Sequence, residues 1–504
     1  MTGLPVVVIG AGPVGLAAAA QLAERDLAFL VLEAGPDIAA SVQQWGHVQL
    51  FSPWQYNTDS AARRLLGAAG WKEPDAEELP TGAELVEQYL RPLAALPAIA
   101  DNVRLNSKVV AVSRLGIDRM RTEGRDRIPF VVRLDNGDEV LARAVIDASG
   151  TWSTPNVLGS NGLPAHGEAE AAAWINHALP DVLKADREQY AGKHTVVVGA
   201  GHSAATTILA LAELADLAPG TRTTWAIRAS SPGGSFGGGS DDELPARGAL
   251  GSGLAMLVDT GRIQLETNFR TTSVRTLPEG GIELVSRGLD GAEKSILADR
   301  VVAATGYRPD YQFTQELRLE LDPIMSAPRP VAPLIDPNQH SCGTVRPHGI
   351  DELAHPEPGY FSVGMKSYGR APTFLMATGH EQVRSVVAGL AGDWAAARDV
   401  QLELPETGVC SATAGSEAFA KRLGLSHAEH ERLLTLTAKH LPQSPSAGAA
   451  VLAAAREMGV DETAALQLAA FAADQFDVAP VVQVGPELQL APDTKQQSGP
   501  SCCG

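Results

Sequence analysis

The N-terminal stretch constrains the fold of this chain most strongly. Residues 4–10 read LPVVVIG, an uncharged β-branched run, and it leads into Gly10, Gly12 and Gly15 with the spacing G-x-G-x-x-G. Such a run is typical of a parallel strand that is buried on both faces. The first glycine permits a tight turn, the second lets a pyrophosphate approach the backbone, and the third lets a helix pack closely. The stretch therefore predicts a strand, a phosphate-binding turn and a helix over Val14–Arg25.

A second strand, AFLVLEA, follows this helix and ends in an acid. Glu33 lies 23 positions after Gly10, where a carboxylate can accept hydrogen bonds from a ribose hydroxyl. Strand, turn, helix, strand and terminal acid occur in the order that a dinucleotide site requires. The sequence therefore predicts a dinucleotide-binding unit, and the alternative is a βαβ unit without a ligand.

The same pattern recurs in the middle of the chain. Residues 194–201 read HTVVVGAG, in which Gly199 and Gly201 hold the first two glycine positions. Ser203 follows in the same turn, and Ala204 holds the third glycine position. Alanine is still small enough for a helix to lie close to the sheet. A second dinucleotide-binding unit is therefore predicted.

The two units differ at the end of their second strand. The strand TTWAIR ends in Arg228, where the first unit ends in Glu33. An arginine can pair with a 2′-phosphate that a glutamate would repel. The second unit is therefore predicted to bind NADPH, with Arg247 in the following glycine-rich segment as a second phosphate ligand. The alternative for Arg228 is a solvated surface arginine.

Length and charge bound the remaining possibilities. The 504 residues suggest about three domains at roughly 150 residues each. Lysine and arginine total 40 against 59 acidic residues, a net charge of −19, which argues against nucleic-acid or anionic-membrane partners. No stretch has the pattern of a signal peptide or a membrane span. We therefore expect a cytoplasmic protein.

Two further short strands are predicted in residues 144–150 and 299–306, and both end in small residues. They complete an arrangement of two dinucleotide-binding units. The predicted fold class is α/β, with two Rossmann-like dinucleotide-binding domains, an appended C-terminal helical segment and a flexible tail. The segments GAGPVG, LEA, GAGHSA and ATGY follow the order of the flavin-dependent monooxygenases, which the chain resembles over roughly its first 395 residues. The resemblance implies FAD in the first unit and NADPH in the second.

The resemblance also implies a division of the chain and a set of site residues. The FAD-binding domain would be discontinuous, and Asn57, within QYNTD, matches the active-site asparagine of the family. The domains implied are 1–160 with 300–395 for FAD, 190–299 for NADPH, 396–484 for a helical extension and 485–504 for a tail. Further residues matched to the cofactor contacts are Trp45, Gly150, Thr305, Gly306, Gly364, Thr378 and Gly379.

A closer resemblance lies in residues 340–349, HSCGTVRPHG, and 364–385, GMKSYGRAPTFLMATGHEQVRS. These segments resemble the flavoprotein monooxygenases encoded in bacterial arsenic-resistance clusters. The resemblance implies that NADPH reduces FAD and that O2 supplies an oxygen atom to a soft nucleophile, such as arsenite or an organoarsenical. Asn57 and bound NADP+ would shield the oxygenated flavin from water. A homodimer is left open.

The cysteines suggest a metalloid site. Thiolates prefer soft ions, and an adjacent Cys-Cys pair near a terminus is a poor structural disulfide. Trivalent arsenic would take Cys502 and Cys503, with a third thiolate from Cys342, Cys410 or a small-molecule thiol. Cys342 is the first choice, and a candidate catalytic thiol, because the neighbouring His340, Arg346 and His348 would lower its pKa. The alternative is four unrelated thiols.

Two other functions remain open at this point. One is an NADPH-dependent thiol or metal reductase without oxygen transfer. However, the sequence has no C-x-x-C or C-x-x-x-x-C dithiol of the kind that such enzymes place beside the flavin. The other is a metalloid-binding protein that keeps a flavoprotein scaffold.

Overall fold

The computed structural model of the chain describes residues 3–237, 242, 244–288, 291–336, 347–371, 374–402, 420 and 423–476. The described residues form an α/β fold with two parallel sheets and two small antiparallel sheets. The predicted fold class, two Rossmann-like units followed by a helical segment, is confirmed. The predicted tail, 485–504, lies outside the described residues.

The buried strands of the parallel sheets are rich in valine, isoleucine and leucine, which suit a pleated surface covered on both faces. In chain order the strands are β1 (Val6–Ile9), β2 (Phe29–Leu32), β3 (Val103–Arg104), β4 (Val109–Arg114), β5 (Phe130–Leu134), β6 (Glu139–Ala142), β7 (Ala144–Asp147), β8 (Ile175–Asn176), β9 (His194–Val198), β10 (Arg222–Ala226), β11 (Gln264–Glu266), β12 (Thr271–Thr276), β13 (Ile282–Arg287), β14 (Glu293–Ala298), β15 (Arg300–Ala303) and β16 (Tyr360–Ser362).

The helices range from single turns to four turns. They are α1 (Pro13–Glu24), α2 (Ala40–Gln43), α3 (Ser60–Ala68), α4 (Gly82–Glu84), α5 (Arg91–Ala94), α6 (Pro97–Ala100), α7 (Arg187–Tyr190), α8 (His202–Leu217), α9 (Pro245–Asp259), α10 (Ala332–Ile335), α11 (Ile350–Leu353), α12 (Met376–Leu390), α13 (Trp394–Arg398), α14 (His427–His440), α15 (Ala447–Glu457) and α16 (Glu462–Phe476). A π-helical turn, Leu85–Leu90, joins α4 to α5. The first predicted helix begins and ends one residue earlier than expected.

The first parallel sheet has the order β16-β7-β1-β2-β3. Val6 and Val8 of β1 face a core that includes α1 and α12, whereas Val7 and Ile9 face a second core built with the antiparallel sheet β4-β5-β6. Both faces of β1 are therefore covered, which explains its unbroken apolar sequence.

The second parallel sheet, β11-β10-β9-β15-β8, repeats this construction. Val197 of β9 packs in a core with α8, and Val196 and Val198 pack in a core with the antiparallel sheet β12-β13-β14. Each nucleotide unit thus has a helical layer on one face of its sheet and a three-stranded antiparallel sheet on the other.

The division between the units differs from the expected one at β15. The predicted boundary at residue 300 assigns this strand to the first unit, but β15 pairs in parallel with β9 and with β8 in the second sheet. The second unit therefore includes residues 175–176 and 300–303 as well as the predicted 190–299. Strand pairing is a long-range contact, and local sequence does not encode it.

The described part of the C-terminal extension is a small helical bundle. Helices α14, α15 and α16 pack on one another around their own core, in which Leu433, Ala454 and Leu468 are buried. By contrast, α13 packs on α12 and belongs to the first unit. Among the described residues, no helix is both long and apolar enough to cross a membrane.

Candidate functional site

The first glycine turn is built as the sequence predicted. Gly10 has φ +97°, and a Cβ at this position would lie 2.8 Å from the Ala148 carbonyl oxygen. A Cβ on Gly15 would lie 1.9 Å from the Gly10 carbonyl oxygen, so α1 can pack this closely only with glycine there. At Gly12 no atom of the described residues lies within 4 Å of an added Cβ. The turn therefore leaves open space at the one glycine that a pyrophosphate is expected to approach.

Glu33 lies beside this turn and bonds to its backbone. Its Oε2 accepts a hydrogen bond of 2.7 Å from the Ala11 N–H, and its Oε1 accepts one of 2.8 Å from the Gly35 N–H. Each carboxylate oxygen has a second lone pair that remains available to a ribose hydroxyl. The carboxylate is thus fixed where a dinucleotide ribose would meet the end of β2.

Two helix N-termini meet at the open edge of the first sheet. Gly12 caps α1 and Leu375 caps α12, both without a side-chain hydrogen bond, so their first N–H groups are left for another partner. Val14 joins the two ends, because added Cβ atoms on Gly364 and Gly379 would lie 3.2 and 2.6 Å from its Cγ2. These residues fit FAD, because its pyrophosphate is anionic and its isoalloxazine ring becomes anionic when it is reduced, so each helix N-terminus would face one anionic group.

The structure also locates the remaining predicted contacts of this unit. Gly150 has φ +67° with nothing within 4 Å of an added Cβ, and Gly364 has φ +66°. Thr378 and Gly379 are buried in the first turn of α12, which begins at Met376.

The loop before α3 holds Trp45 and Asn57. The Trp45 ring packs on Gly82, where a Cβ would lie 2.8 Å from it. Asn57 is fully buried, and its amide donates to the Ser52 and Pro53 carbonyls while its Oδ1 accepts from the Ser52 hydroxyl. The side chain of Asn57 therefore fastens the loop in this structure, and its role as the active-site asparagine stays a prediction.

The second glycine turn repeats the first. Gly199 has φ +132°, and a Cβ there would lie 2.1 Å from the Ala304 carbonyl oxygen, whereas within the described part of the chain no atom lies within 4 Å of a Cβ on Gly201. Gly201 caps α8 without a side-chain hydrogen bond. Ser203 lies in the first turn of α8, and Ala204 is completely buried at the closest approach of helix to sheet.

Strand register places Arg228 one position beyond the counterpart of Glu33. Ile9 pairs with Leu32 in the first unit, and Val198 pairs with Ala226 in the second, so the residue equivalent to Glu33 is Ile227. Arg228 is exposed, and its Nη1 donates to the Ser160 carbonyl at 3.0 Å. The rest of its guanidinium bonds to no described residue. Arg228 therefore has donors left for a 2′-phosphate.

Arg247 is placed differently from the prediction. The segment read as a glycine-rich loop continues as helix α9, and Arg247 is buried in its first turn. Its Nε and Nη2 bind the Asp242 carboxylate at 2.7 and 2.8 Å. Because this partner neutralises the guanidinium and occupies its bidentate face, the geometry does not support Arg247 as a free phosphate ligand. Its Nη1 is buried and has no hydrogen-bond partner among the residues that the structure describes.

Two aromatic contacts join the units, and the sequence patterns pointed to neither. The Trp152 and Tyr307 rings stack with centroids 4.8 Å apart, and the Trp152 Nε1 donates to Gln44 of the loop before α3. The rings of Phe51 and His202 lie 5.3 Å apart. Burial, and then the charge of Arg247, lower the pKa of His202, so its imidazole is neutral at the N-terminus of α8.

The predicted contacts Thr305 and Gly306 lie in the connection that runs beside Trp152. The Thr305 hydroxyl donates to the Asn156 carbonyl, and the Asn156 amide donates to the Thr305 carbonyl, at 2.8 and 2.9 Å. Gly306 has φ +83°. These residues hold together the two chain segments that connect the nucleotide units.

The predicted arsenic ligands Cys342, Cys410, Cys502 and Cys503 lie outside the described residues. Within the part of the chain that the structure describes, no cluster of three or more histidine, cysteine or acidic side chains is arranged to hold a metal ion. His348 is described, and it is buried with its Nε2 2.8 Å from the Gln382 amide nitrogen.

Comparison with known proteins agrees with this geometry. The family described as pyridine nucleotide-disulphide oxidoreductase matches residues 7–338. A curated relative, the indole-3-pyruvate monooxygenase YUCCA1 of Oryza sativa subsp. japonica, is 29% identical over 204 residues, which cover 39% of this chain and 42% of the relative. The match thus spans less than half of that relative's length.

Solved structures share the fold. The bacillithiol disulfide reductase Bdr (YpdA) from Bacillus cereus has a TM-score of 0.55 at 19% identity, covering 77% of this chain and 99% of that one. The FAD-bound cadaverine monooxygenase DfoA from Erwinia amylovora has a TM-score of 0.55 at 16% identity, covering 80% and 97%. At these identities the likeness concerns the fold alone.

Because the match covers more than half of the chain, the chain belongs to the pyridine nucleotide-disulphide oxidoreductase family. It is therefore an enzyme of the flavoprotein oxidoreductase class, and the predicted cofactors, FAD and NADPH, agree with this membership. The individual cofactor contacts stay predictions, as does the arsenic substrate.

Proposed function

We propose that this family member is an FAD- and NADPH-dependent monooxygenase that oxidises a soft nucleophile, with arsenite or an organoarsenical as the substrate class. One observation carries the cofactor assignment. In each parallel sheet one strand, β1 or β9, leads into a glycine turn. The middle glycine of the turn, Gly12 or Gly201, has open space around it among the described residues and caps a helix without a side-chain hydrogen bond. Two such anion sites in one chain suit one resident dinucleotide and one reducing coenzyme.

The distribution of thiols favours oxygen transfer over disulfide reduction. A reductase that passes electrons through the flavin to a neighbouring disulfide needs two cysteines beside the cofactor. The four cysteines of this chain all lie outside the described residues, and no two are spaced as C-x-x-C or C-x-x-x-x-C. The described parts of both nucleotide units therefore offer no such dithiol. The relative from rice, matched over part of its length, is described as a monooxygenase.

The described residues have distinct tasks in this reaction. The N-termini of α1 and α12 would hold the anionic parts of FAD, and Glu33 would hold its ribose. The N-terminus of α8 would bind the NADPH pyrophosphate, and Arg228 would pair with its 2′-phosphate. Bound FAD supplies hydride acceptance and reaction with O2, chemistry that no protein side chain provides.

The overall reaction balances without a further reductant. NADPH gives two electrons as hydride, and one further proton is taken from water. One oxygen atom of O2 forms a bond to the lone pair of trivalent arsenic, which is oxidised to the pentavalent state. The other oxygen atom leaves as water. The arsenical would be bound by the thiolates of Cys502 and Cys503, with a third thiolate from Cys342 or Cys410.

Oxidation of NADPH by the purified full chain tests this proposal. We expect NADPH consumption that depends on both O2 and the arsenical, and a pentavalent product that carries label from isotopically labelled O2. Consumption of NADPH under nitrogen, with a disulfide or metal ion reduced in equal amount, would show a reductase instead.

A metalloid-binding role on a flavoprotein scaffold is the remaining outcome. It would be recognised by tight arsenite binding without NADPH turnover in the presence of any tested arsenical. Removal of residues 500–504 tests whether arsenite binding depends on the terminal cysteines independently of the flavin chemistry. We expect the shortened chain to bind arsenite more weakly while its FAD content is unchanged.

A further inference from the structure

A completely buried ion pair lies behind the first glycine turn. Lys366 Nζ is 2.6 Å from Asp147 Oδ2, and neither side chain is exposed. Asp147 ends β7, and Lys366 lies in the 3-10 helix Gly364–Tyr368 that follows β16. The two residues are distant in the sequence, and they meet because β7 and β16 are paired neighbours in the sheet.

Every polar atom of this pair has a partner. Asp147 Oδ2 also accepts a hydrogen bond of 2.6 Å from the Tyr360 hydroxyl, and Oδ1 accepts from the hydroxyl and N–H of Ser149. Lys366 donates to the Ser149 hydroxyl at 3.0 Å, and its ammonium lies 4.3 Å from the centre of the Phe313 ring. The charges are thus fully compensated within the protein.

The ion pair lies next to the first glycine turn and to the turns that carry Gly150 and Gly364. Ser149 precedes Gly150, and Lys366 follows Gly364 by two residues, and both glycines have φ near +66°. A Cβ on Gly10 would lie 3.3 Å from the Ser149 Cα, so the network touches the glycine turn itself. Ser149 is exposed at the open edge of the sheet, whereas the ion pair lies beneath it.

Stability alone does not account for this arrangement. Burying two charges costs free energy, and well-packed apolar residues often replace a buried ion pair without loss of stability. An ion pair with a complete set of hydrogen bonds does, however, fix the direction of every group that it touches. Here those groups belong to the two turns that carry Gly150 and Gly364.

We propose that Asp147 and Lys366 form a positioning pair for FAD. The pair holds the turn at Ser149 and Gly150 and the helix that begins at Gly364 in one fixed arrangement, so that both are preorganised for the cofactor. This inference rests on the proposed FAD site in the first unit. Because the pair is neutral overall, its effect on FAD comes through geometry and not through added charge.

The test replaces the pair by neutral side chains of similar size, Asp147→Asn with Lys366→Met, in the full chain. FAD binding to the apoprotein is measured by flavin fluorescence, and thermal unfolding of the apoprotein is measured separately. We expect the Kd for FAD to rise by about tenfold or more. The absorption bands of the bound flavin should shift as well, since its surroundings are no longer fixed.

Arg114→Met is the matched control. Arg114 is also a buried cation, with its Nε 2.7 Å from Glu357 Oε1, and Arg125 remains paired with Glu357 after the change. The control should lower the Tm of the apoprotein, leave the Kd for FAD within about twofold of the parent and leave the flavin absorption bands in place. A loss of affinity shared by both variants would overturn the inference, because it would reflect general destabilisation.

Ser149→Ala keeps the inference testable if the double variant does not fold. It removes only the hydroxyl that joins Asp147 to Lys366, and one such hydrogen bond is worth about fivefold in affinity. If the parent chain binds no FAD, the proposed function fails. If the parent binds FAD and neither Ser149→Ala nor any folded double variant changes the Kd beyond about twofold, only the positioning role fails.

Discussion

The two nucleotide units have the same construction but differ in how deeply their glycine helices are enclosed. Nine of the twelve residues of α1 are buried, under α3 and α12, whereas seven of the sixteen residues of α8 are buried. The N-terminus of α1 also lies beside that of α12, because a Cβ on Gly379 would lie 2.6 Å from Val14 Cγ2. The comparison indicates that the first site suits a resident cofactor and the second a coenzyme that exchanges at each turnover.

The units also differ at the end of their second strand. Glu33 turns inward and bonds to the backbone of its own glycine turn. In the second unit the equivalent position is the buried Ile227, and Arg228, one residue later, extends to the surface. Under the proposed function, a change of charge and a displacement by one residue would separate ribose recognition by Glu33 from 2′-phosphate recognition by Arg228.

The largest expected effect comes from filling the open glycines. Gly12→Ala and Gly201→Ala each add a methyl group where only a ligand would meet it, and both backbones have negative φ that alanine tolerates. We expect Gly12→Ala to weaken FAD binding by about a hundredfold or more and to yield colourless protein. Gly201→Ala should keep its FAD and raise the KM for NADPH by about tenfold or more.

Gly15→Ala is the contrasting variant for this prediction. Its methyl group would meet the Gly10 carbonyl and not a ligand, so it should lower the Tm of the apoprotein, which Gly12→Ala should not. Equal loss of FAD from Gly12→Ala and Gly201→Ala would show that the two turns do not serve separate ligands.

The next effect concerns coenzyme choice. Arg228→Ala should remove a charge-assisted pair with the 2′-phosphate, worth about 1.5 to 3 kcal/mol, and should raise the KM for NADPH while leaving the KM for NADH unchanged. Steady-state kinetics with both coenzymes measures this. Arg222→Ala is the control, because Arg222 is exposed at the opposite end of β10. A similar change in both KM values would contradict phosphate recognition by Arg228.

The features that the sequence predicted well are local. Strand, glycine turn and helix are encoded within about thirty consecutive residues, so both units, and the start of α1 to within one residue, were predictable from the sequence. Open space at Gly12 and Gly201 follows from the same motif. Glu33 and Arg228 were predictable for the same reason, because each follows the second strand of its own unit.

The features that the sequence did not reveal depend on distant partners. Arg247 has a side chain that can bind phosphate, and it lies in a glycine-rich segment of the sequence. Its buried pairing with Asp242, however, depends on how α9 packs. Asp147 and Lys366 come from separate segments, and only the pairing of β7 with β16 brings them together. The placement of β15 in the second sheet is of the same kind. Such contacts have no periodic signature in the chain.

The smallest expected effect concerns acid stability, and it arises in the more deeply buried unit. His380 of α12 is buried, and burial lowers its pKa to about 4 from 6.5. The folded chain therefore keeps this imidazole neutral, while the unfolded chain protonates it below pH 6.5. Its contribution to stability is present above pH 6.5 and is lost as the pH falls toward 4, by about 1 kcal/mol at pH 5.5.

His380→Gln should reduce this pH dependence, although the loss of packing lowers stability at every pH. Urea unfolding of the apoprotein at pH 7.5 and pH 5.5 gives the difference in free energy of unfolding for each variant. His47→Gln is the control, because His47 is exposed in the loop before α3 and its replacement should leave the difference as in the parent. If His380→Gln and His47→Gln behave alike, the neutral His380 is not what links the stability of the first unit to pH.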